Sequence, residues 1–173
     1  TPLTGRTAVL CGSIEETGEI LNLAFRKNLC PVAMRASSPP PLEPSKFDVA
    51  VAANVEVAPP VSAALARFAE RGGAVLAAPA GDEKSPWWTT RGWKKIRTED
   101  DRDVYAAGKG LVYGYHSLIL DPGAFALDIK EIAGERSQPE GGLKNLDLRI
   151  WGADTVLGVL HSLSPASIAA VLT

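Results

Sequence analysis

The sequence predicts an α/β protein, because the middle of the chain contains a complete strand–helix–strand unit. Phe47–Asn54 is almost continuously apolar, which is typical of a parallel strand that is covered on both faces. Apolar residues then recur at helical spacing over residues 61–69, and Gly72-Gly73 ends that helix. Ala74–Pro79 is a second apolar strand. Because such crossovers join parallel neighbours, we expect a three-layer αβα sandwich with a mainly parallel sheet.

The segment before this unit has the same order of elements. Arg6–Gly12 is a short apolar run that predicts the first strand. Ser13 is placed to cap a helix that continues to Asn28. Cys30–Ala36 predicts the second strand. The prolines of residues 37–45 exclude a helix or an interior strand there, so this segment is expected to be a stiff surface connection.

Beyond residue 80 the pattern is less regular. Residues 82–93 are polar and aromatic and predict an irregular loop. Val104–Ala106 and Leu111–Tyr115 predict either a hairpin or a loop that leads into another core strand. A helix is expected from Asp121-Pro122 to about Ala133.

We divide the chain into an α/β domain over residues 1–136 and a C-terminal segment over residues 137–173. That segment predicts a half-exposed strand at Leu146–Trp151, a further strand at Val156–Leu160 and a short final helix. We expect it to pack on the same domain. Since the chain begins at Thr1 without a methionine, we also expect it to be processed or cut from a longer protein.

Composition argues against two classes of partner. The 173 residues are 46% hydrophobic and 22% charged, as in an ordinary globular domain. The formal charge is −2, and the densest basic stretch, residues 91–97, runs directly into acidic residues, so no nucleic-acid partner is expected. No apolar run is as long as a membrane span, so no membrane partner is expected either.

The sequence also lacks the common metal and cofactor motifs. His116 and His161 are not spaced as a pair of metal ligands, and the glycines do not form a phosphate-binding loop. Cys11 and Cys30 best fit buried thiols, while a disulfide or a reactive thiol stays open. We therefore expect no metal and no cofactor.

A family resemblance extends over residues 6–134. The stretch FDVAVAANV…ALARFAERGGAVLAAP, followed by GKGLVYGYH, resembles the class I glutamine amidotransferase-like superfamily. It is most similar to non-catalytic members, such as the flavodoxin-like trimerisation domains of some β-galactosidases and ThuA-like domains. The resemblance implies a flavodoxin-like or amidotransferase-like sheet, and it implies a function without chemistry.

The sequence departs from the catalytic members of that superfamily at the reactive positions. Those members place a Cys at the end of the strand that corresponds to Ala74–Ala78, where this chain has Pro79-Ala80-Gly81. His116 matches the family's histidine, but Leu118 stands where the resemblance implies an acidic residue. A base with neither a nucleophile nor a carboxylate to orient it does not form a triad. Glutamine hydrolysis is therefore not expected, and no residue is predicted to be catalytic in that reaction.

Two groups of residues remain as candidates for a site. Ser13, Asn54, Asp82 and His116 lie at or near predicted strand ends and could bind a small ligand there. Ser13 also fits a helix cap, and His116 also fits a structural role. With Glu83 added, Asn54, Asp82 and His116 could instead form the site of a hydrolase or sugar-processing enzyme.

The second group is aromatic. Trp87, Trp88 and Trp93 lie beside Arg91 and Lys94 in the loop after the fourth strand. Trp side chains are enriched in binding hot spots and also pack well as a local core, so the group predicts either an interaction surface or a buried cluster.

The function that these observations favour is a non-catalytic accessory or interaction domain, as part of a larger carbohydrate-related protein. The expected partner is another protein, a neighbouring domain of a longer chain, or a second copy of this chain. An enzyme acting at the carboxyl ends of the strands is the alternative.

Overall fold

The residues that the structure describes form one mixed sheet of seven strands. In the computed structural model the described residues are 6–11, 19, 22, 30–39 and 41–134. The strands are β1 (Arg6–Cys11), β2 (Cys30–Arg35), β3 (Val49–Ala52), β4 (Ala74–Ala77), β5 (Lys94–Thr98), β6 (Arg102–Ala107) and β7 (Gly110–Tyr115). Their order across the sheet is β2-β1-β3-β4-β7-β6-β5.

The two ends of the sheet differ in strand direction. The strands β2, β1, β3, β4 and β7 are parallel to their neighbours in that series, whereas β6 is antiparallel to both β7 and β5. The reason is the hairpin between β6 and β7. Ala107 pairs with Gly110, so only Gly108 and Lys109 connect the two strands, and such a short connection permits only antiparallel pairing. The sheet is therefore mixed, and its parallel part stops at β7.

Within the continuous described segment 41–134, one helix packs on each face of the sheet. The helix α1 (Pro59–Glu70) has prolines in its first turn and buries Val61, Leu65, Phe68 and Ala69 against one face. The helix α2 (Pro122–Gly134) begins after Asp121, whose carboxylate accepts a hydrogen bond from the Ala124 N–H at 3.1 Å. It buries Phe125, Ile129 and Ala133 against the opposite face.

The connection from β4 to β5 lies on the same face as α1. It contains a short 3₁₀ helix, Trp87–Thr90, and its Trp88 belongs to the same core cluster as Phe68 and Val112. The connection thus covers the part of the sheet beside α1. This burial of apolar surface is what stabilises an otherwise irregular segment.

Several sequence expectations need correction. β3 covers Val49–Ala52, which is shorter than the predicted Phe47–Asn54, and β4 ends at Ala77. Residues 82–93 include a 3₁₀ turn, and β5 was not predicted. The helix expected from Ser13 to Asn28, apart from helical positions 19 and 22, and all of residues 137–173 lie outside the described residues.

Three expectations agree with the structure. The unit β3–α1–β4 is present with parallel strands, and of the two alternatives for residues 104–115 the hairpin is the one observed. The helix after Asp121 ends one residue beyond the expected position.

Within the described part of the chain, no helix combines the length and the apolar character that crossing a membrane requires.

Candidate functional site

The carboxyl ends of the central strands form the edge where ligands bind in open α/β sheets. Ala52, Ala77, Gly114 and Asp103 lie side by side in the registers of β3, β4, β7 and β6. The residues that follow β3, β4 and β7, together with those that precede β6, therefore lie at a common edge. Asn54, Pro79 and His116 are among them.

The side chain of Asn54 links the end of β3 to the loop before α2 by hydrogen bonds. Its side-chain Nδ2 donates to the carbonyl oxygen of Ile119 at 2.7 Å, and its Oδ1 accepts from the Ile119 N–H at 2.7 Å. Its backbone has a left-handed conformation, with φ 59°, which Asn tolerates better than most residues. Because the amide already bonds Ile119 at both polar atoms, its main role in this structure is to hold the loop.

His116 pairs with a carboxylate that sequence reasoning had not selected. Its Nε2 lies 3.1 Å from Asp103 Oδ1, and Thr98 donates to that same oxygen at 2.9 Å. Lys95 Nζ lies 3.9 Å from the other Asp103 oxygen. Burial opposes ionisation of Asp103, but the hydrogen bonds from His116 and Thr98 outweigh it and lower the pKa of Asp103.

The other predicted ligand-binding residues do not join His116. Asp82 and Glu83 are exposed, and within the described residues no hydrogen bond or ion pair connects either of them to His116. Pro79, which follows the end of β4, is buried. Ser13 lies outside the described residues. The set Asn54, Asp82, Glu83 and His116 is thus not assembled into one hydrogen-bonded constellation.

Two adjoining cavities flank the loop that Asn54 holds. One, of about 260 Å³, is lined by Asn54 together with Glu19, Ala53, Ile119, Leu120, Pro122 and Phe125. The other, of about 280 Å³, shares Ile119, Leu120 and Phe125 with it. The first lies at the end of β3, next to β1, where the strand order reverses. Its lining is mostly apolar, and Glu19 and Asn54 are the polar side chains in it.

A charged network that sequence reasoning missed lies on the α2 face. Arg102 is 8% exposed and donates to Glu99 and, at 3.0 Å, to the Tyr115 hydroxyl. That hydroxyl donates to Asp128 of α2 at 2.7 Å. Burial and the bond to Asp128 raise the pKa of Tyr115 well above its usual range. These bonds join β6, β7 and α2, and Glu99 and Arg102 also line a cavity of about 300 Å³.

The three tryptophans divide into one core residue and two surface residues. Trp88 is 3% exposed, so its ring serves the core and offers little surface to a partner. Trp87 and Trp93 are only partly buried, and their rings stand at 81° with centroids 6.1 Å apart. We call Trp87, Arg91 and Trp93 the Trp–Arg surface. Of the predicted interaction residues, Trp87 and Trp93 retain accessible ring area.

The described residues contain no group of three His, Cys, Asp or Glu side chains that could hold a metal ion. The acidic residues at the carboxyl edge are spread over separate loops, and Asp103 is occupied by His116, Thr98 and Lys95.

Comparisons with known proteins reveal a likeness of fold. No family model matches the chain, and no curated protein matches it. Among solved structures, the exo-β-1,4-mannosidase Op5Man5 from Opitutaceae bacterium strain TAV5 is similar, with a TM-score of 0.51 and 13% sequence identity. The match covers 75% of this chain and 34% of the mannosidase chain, so this chain spans about a third of that protein. At this identity the likeness bears on the fold alone, and the chain is an α/β protein.

Proposed function

We propose that this chain is a non-catalytic accessory or interaction domain of a larger carbohydrate-related protein. The observation that carries the proposal is the end of β4, where Pro79-Ala80-Gly81 supplies no side chain able to act as a nucleophile. The catalytic members of the amidotransferase-like superfamily depend on a nucleophile at that turn. The three residues at the corresponding turn of this chain do not supply one. The resemblance to non-catalytic amidotransferase-like domains forms part of the same proposal.

The hydrogen bonding of the neighbouring residues supports this proposal. Asn54 is bonded to Ile119 and His116 to Asp103, so two candidate reactive groups already have partners within the fold. The likeness to the mannosidase agrees with the proposed setting, since a domain of this size matches about a third of a larger glycosidase. Packing of α1 and α2 on opposite faces likewise supports a complete three-layer αβα sandwich.

An enzyme remains the second candidate because of one observation. His116 and Asp103 form a histidine–carboxylate pair at the carboxyl edge, and such a pair can orient a general base. Among the described residues, the hydroxyl group that is hydrogen-bonded to this pair is that of Thr98. It donates to the Asp103 carboxylate and not to the His116 ring. The order of groups is therefore not that of a triad.

Assays of the purified chain distinguish the two candidates. Chromogenic β-mannoside, β-galactoside and β-glucoside substrates and glutamine should show no turnover above that of the His116→Ala and Asp103→Asn variants. Turnover by the wild-type chain that both substitutions abolish, while circular dichroism shows folded variants, would contradict a non-catalytic role. Self-association, one of the expected modes of interaction, should be measured on the same samples by light scattering.

A further inference from the structure

The surroundings of the Trp–Arg surface carry an excess of positive charge. Three elements meet at Glu70 of α1: Trp93 Nε1 donates to its carboxylate at 3.2 Å, and the Lys109 N–H donates to its carbonyl oxygen at 3.0 Å. Two of these elements bring an exposed cation, namely Arg71 directly after Glu70 and Lys109 itself. Together with Arg91, these cations outnumber the one carboxylate at the junction.

The aromatic part of this surface is held in place before any ligand binds. Arg91 Nη2 donates to the Ser62 hydroxyl at 3.3 Å, and the guanidinium carbon lies 6.0 Å from the centroid of the Trp87 ring. Trp87 also makes an edge contact with the buried ring of Trp88, with centroids 5.8 Å apart. Groups that are ordered in advance lose less conformational entropy on binding.

We propose that the Trp–Arg surface binds an anionic glycan whose sugar rings carry carboxylates. The C–H bonds on the face of a pyranose ring suit the negative face of an indole, and a sugar carboxylate suits a guanidinium or ammonium group. The surface offers both kinds of group in one place. This inference rests on the proposed function and names the ligand class of its interaction surface.

Two other classes of ligand supply only one of the two features, the carboxylates or the sugar rings. An acidic peptide supplies carboxylates without rigid rings, and a neutral oligosaccharide supplies rings without charge. Tetragalacturonate, tetraglutamate and mannotetraose are therefore a matched set of probes. We expect tetragalacturonate to bind at least about tenfold more tightly than either of the others in calorimetric titrations. Its affinity should fall as salt is added, because ions screen exposed charges.

Substitutions locate the binding. Arg91→Ala and Lys109→Glu should each weaken tetragalacturonate binding by about tenfold, since each removes a charge-assisted contact. Lys130→Ala, an exposed position on α2 and on the opposite face, should leave it unchanged. Thermal melting should show that all three variants remain folded.

The outcomes separate this inference from the proposed function. If tetragalacturonate does not bind, or if tetraglutamate binds equally well, the glycan inference is overturned; in the second case the surface is one for acidic protein segments. Binding that is insensitive to Arg91→Ala and Lys109→Glu also overturns it. Cleavage of any probe by the wild-type chain contradicts the non-catalytic function instead.

Discussion

Trp88 packs its indole ring directly on the backbone of Gly114. A Cβ atom built on Gly114 would lie 2.6 Å from Trp88 Cδ1 and nearer still to Nε1. Gly114 lies between Ala77 of β4 and Asp103 of β6 in the sheet. This contact anchors the connection between β4 and β5 at the middle of the sheet and so positions the Trp–Arg surface.

Gly114→Ala is expected to lower the free energy of unfolding by about 1–3 kcal/mol, because the added methyl group overlaps the Trp88 ring. Urea denaturation measures the loss. Gly123→Ala is the control, since the nearest atom to its Cβ is Asp121 Oδ1 at 3.3 Å. Trp88→Phe should reduce the cost of Gly114→Ala when the two are combined. If Gly114→Ala and Gly123→Ala lower the free energy of unfolding equally, the Trp88 ring does not prevent a side chain at position 114.

Substitutions at Asn54 should separate its side-chain bonds from its backbone conformation. Asn54→Gly keeps the left-handed backbone but loses both bonds to Ile119, at a cost of about 1–3 kcal/mol in unfolding free energy. Asn54→Ala should cost about 1 kcal/mol more, because alanine is strained at φ 59°. Chemical denaturation compares the two, and exchange of the Ile119 amide hydrogen should accelerate in both. Equal stability of the two variants contradicts the strained conformation.

Stability should fall in acid partly through Glu99. The hydrogen bond from Arg97, reinforced by Arg102 against the effect of burial, lowers the pKa of Glu99 below its ordinary 4.5. A carboxyl group whose pKa is lower in the folded state stabilises the fold above its unfolded pKa, and this contribution is lost as pH falls through the folded value.

Glu99→Gln cannot take up that proton. Its free energy of unfolding should therefore decline less than that of the wild type between roughly pH 5 and pH 3. Denaturation at a series of pH values tests this. Parallel curves for the two proteins would mean that Glu99 is not coupled to folding.

Tyr115 should stay protonated in the folded protein at alkaline pH. Its pKa is raised by burial and by the bond to Asp128, whereas the unfolded chain ionises it near 10.0. Unfolding is therefore favoured as pH rises past 10.0. Below the alkaline unfolding transition, tyrosinate absorbance should rise equally in the wild type and in Tyr115→Phe. A smaller rise in the variant would show that Tyr115 ionises in the folded state.

The sequence predicted those elements in which the pattern of apolar side chains matches the pattern of burial. β3, α1 and β4 are apolar over consecutive or helically spaced positions, and each is buried as that pattern indicates. β5 gave no such signal, because all five of its residues, Lys94-Lys95-Ile96-Arg97-Thr98, are exposed. It is a strand because its backbone pairs with β6, and among the described strands it stands at the edge of the sheet, where charged side chains are common.

The contact between His116 and Asp103 could have been predicted from the sequence. Had Gly108 and Lys109 been taken as the entire turn, counting outward would have placed Asp103 opposite Gly114, beside His116. The predicted strand bounds Val104–Ala106 and Leu111–Tyr115 instead put Gly110 in the turn, which leaves the pairing open. The distinction between buried Trp88 and the partly exposed Trp87 and Trp93 had no local signal, since it depends on the contact with Gly114.

Chemical-shift mapping on the ¹⁵N-labelled chain tests most directly whether function lies at the Trp–Arg surface rather than at the carboxyl edge. With tetragalacturonate as the titrant, we predict shifts for the Trp87 and Trp93 indole N–H signals and for the amides of Arg91 and Lys109. Shifts that cluster instead at Asn54, Leu120 and His116 would contradict this account and place the ligand at the carboxyl edge.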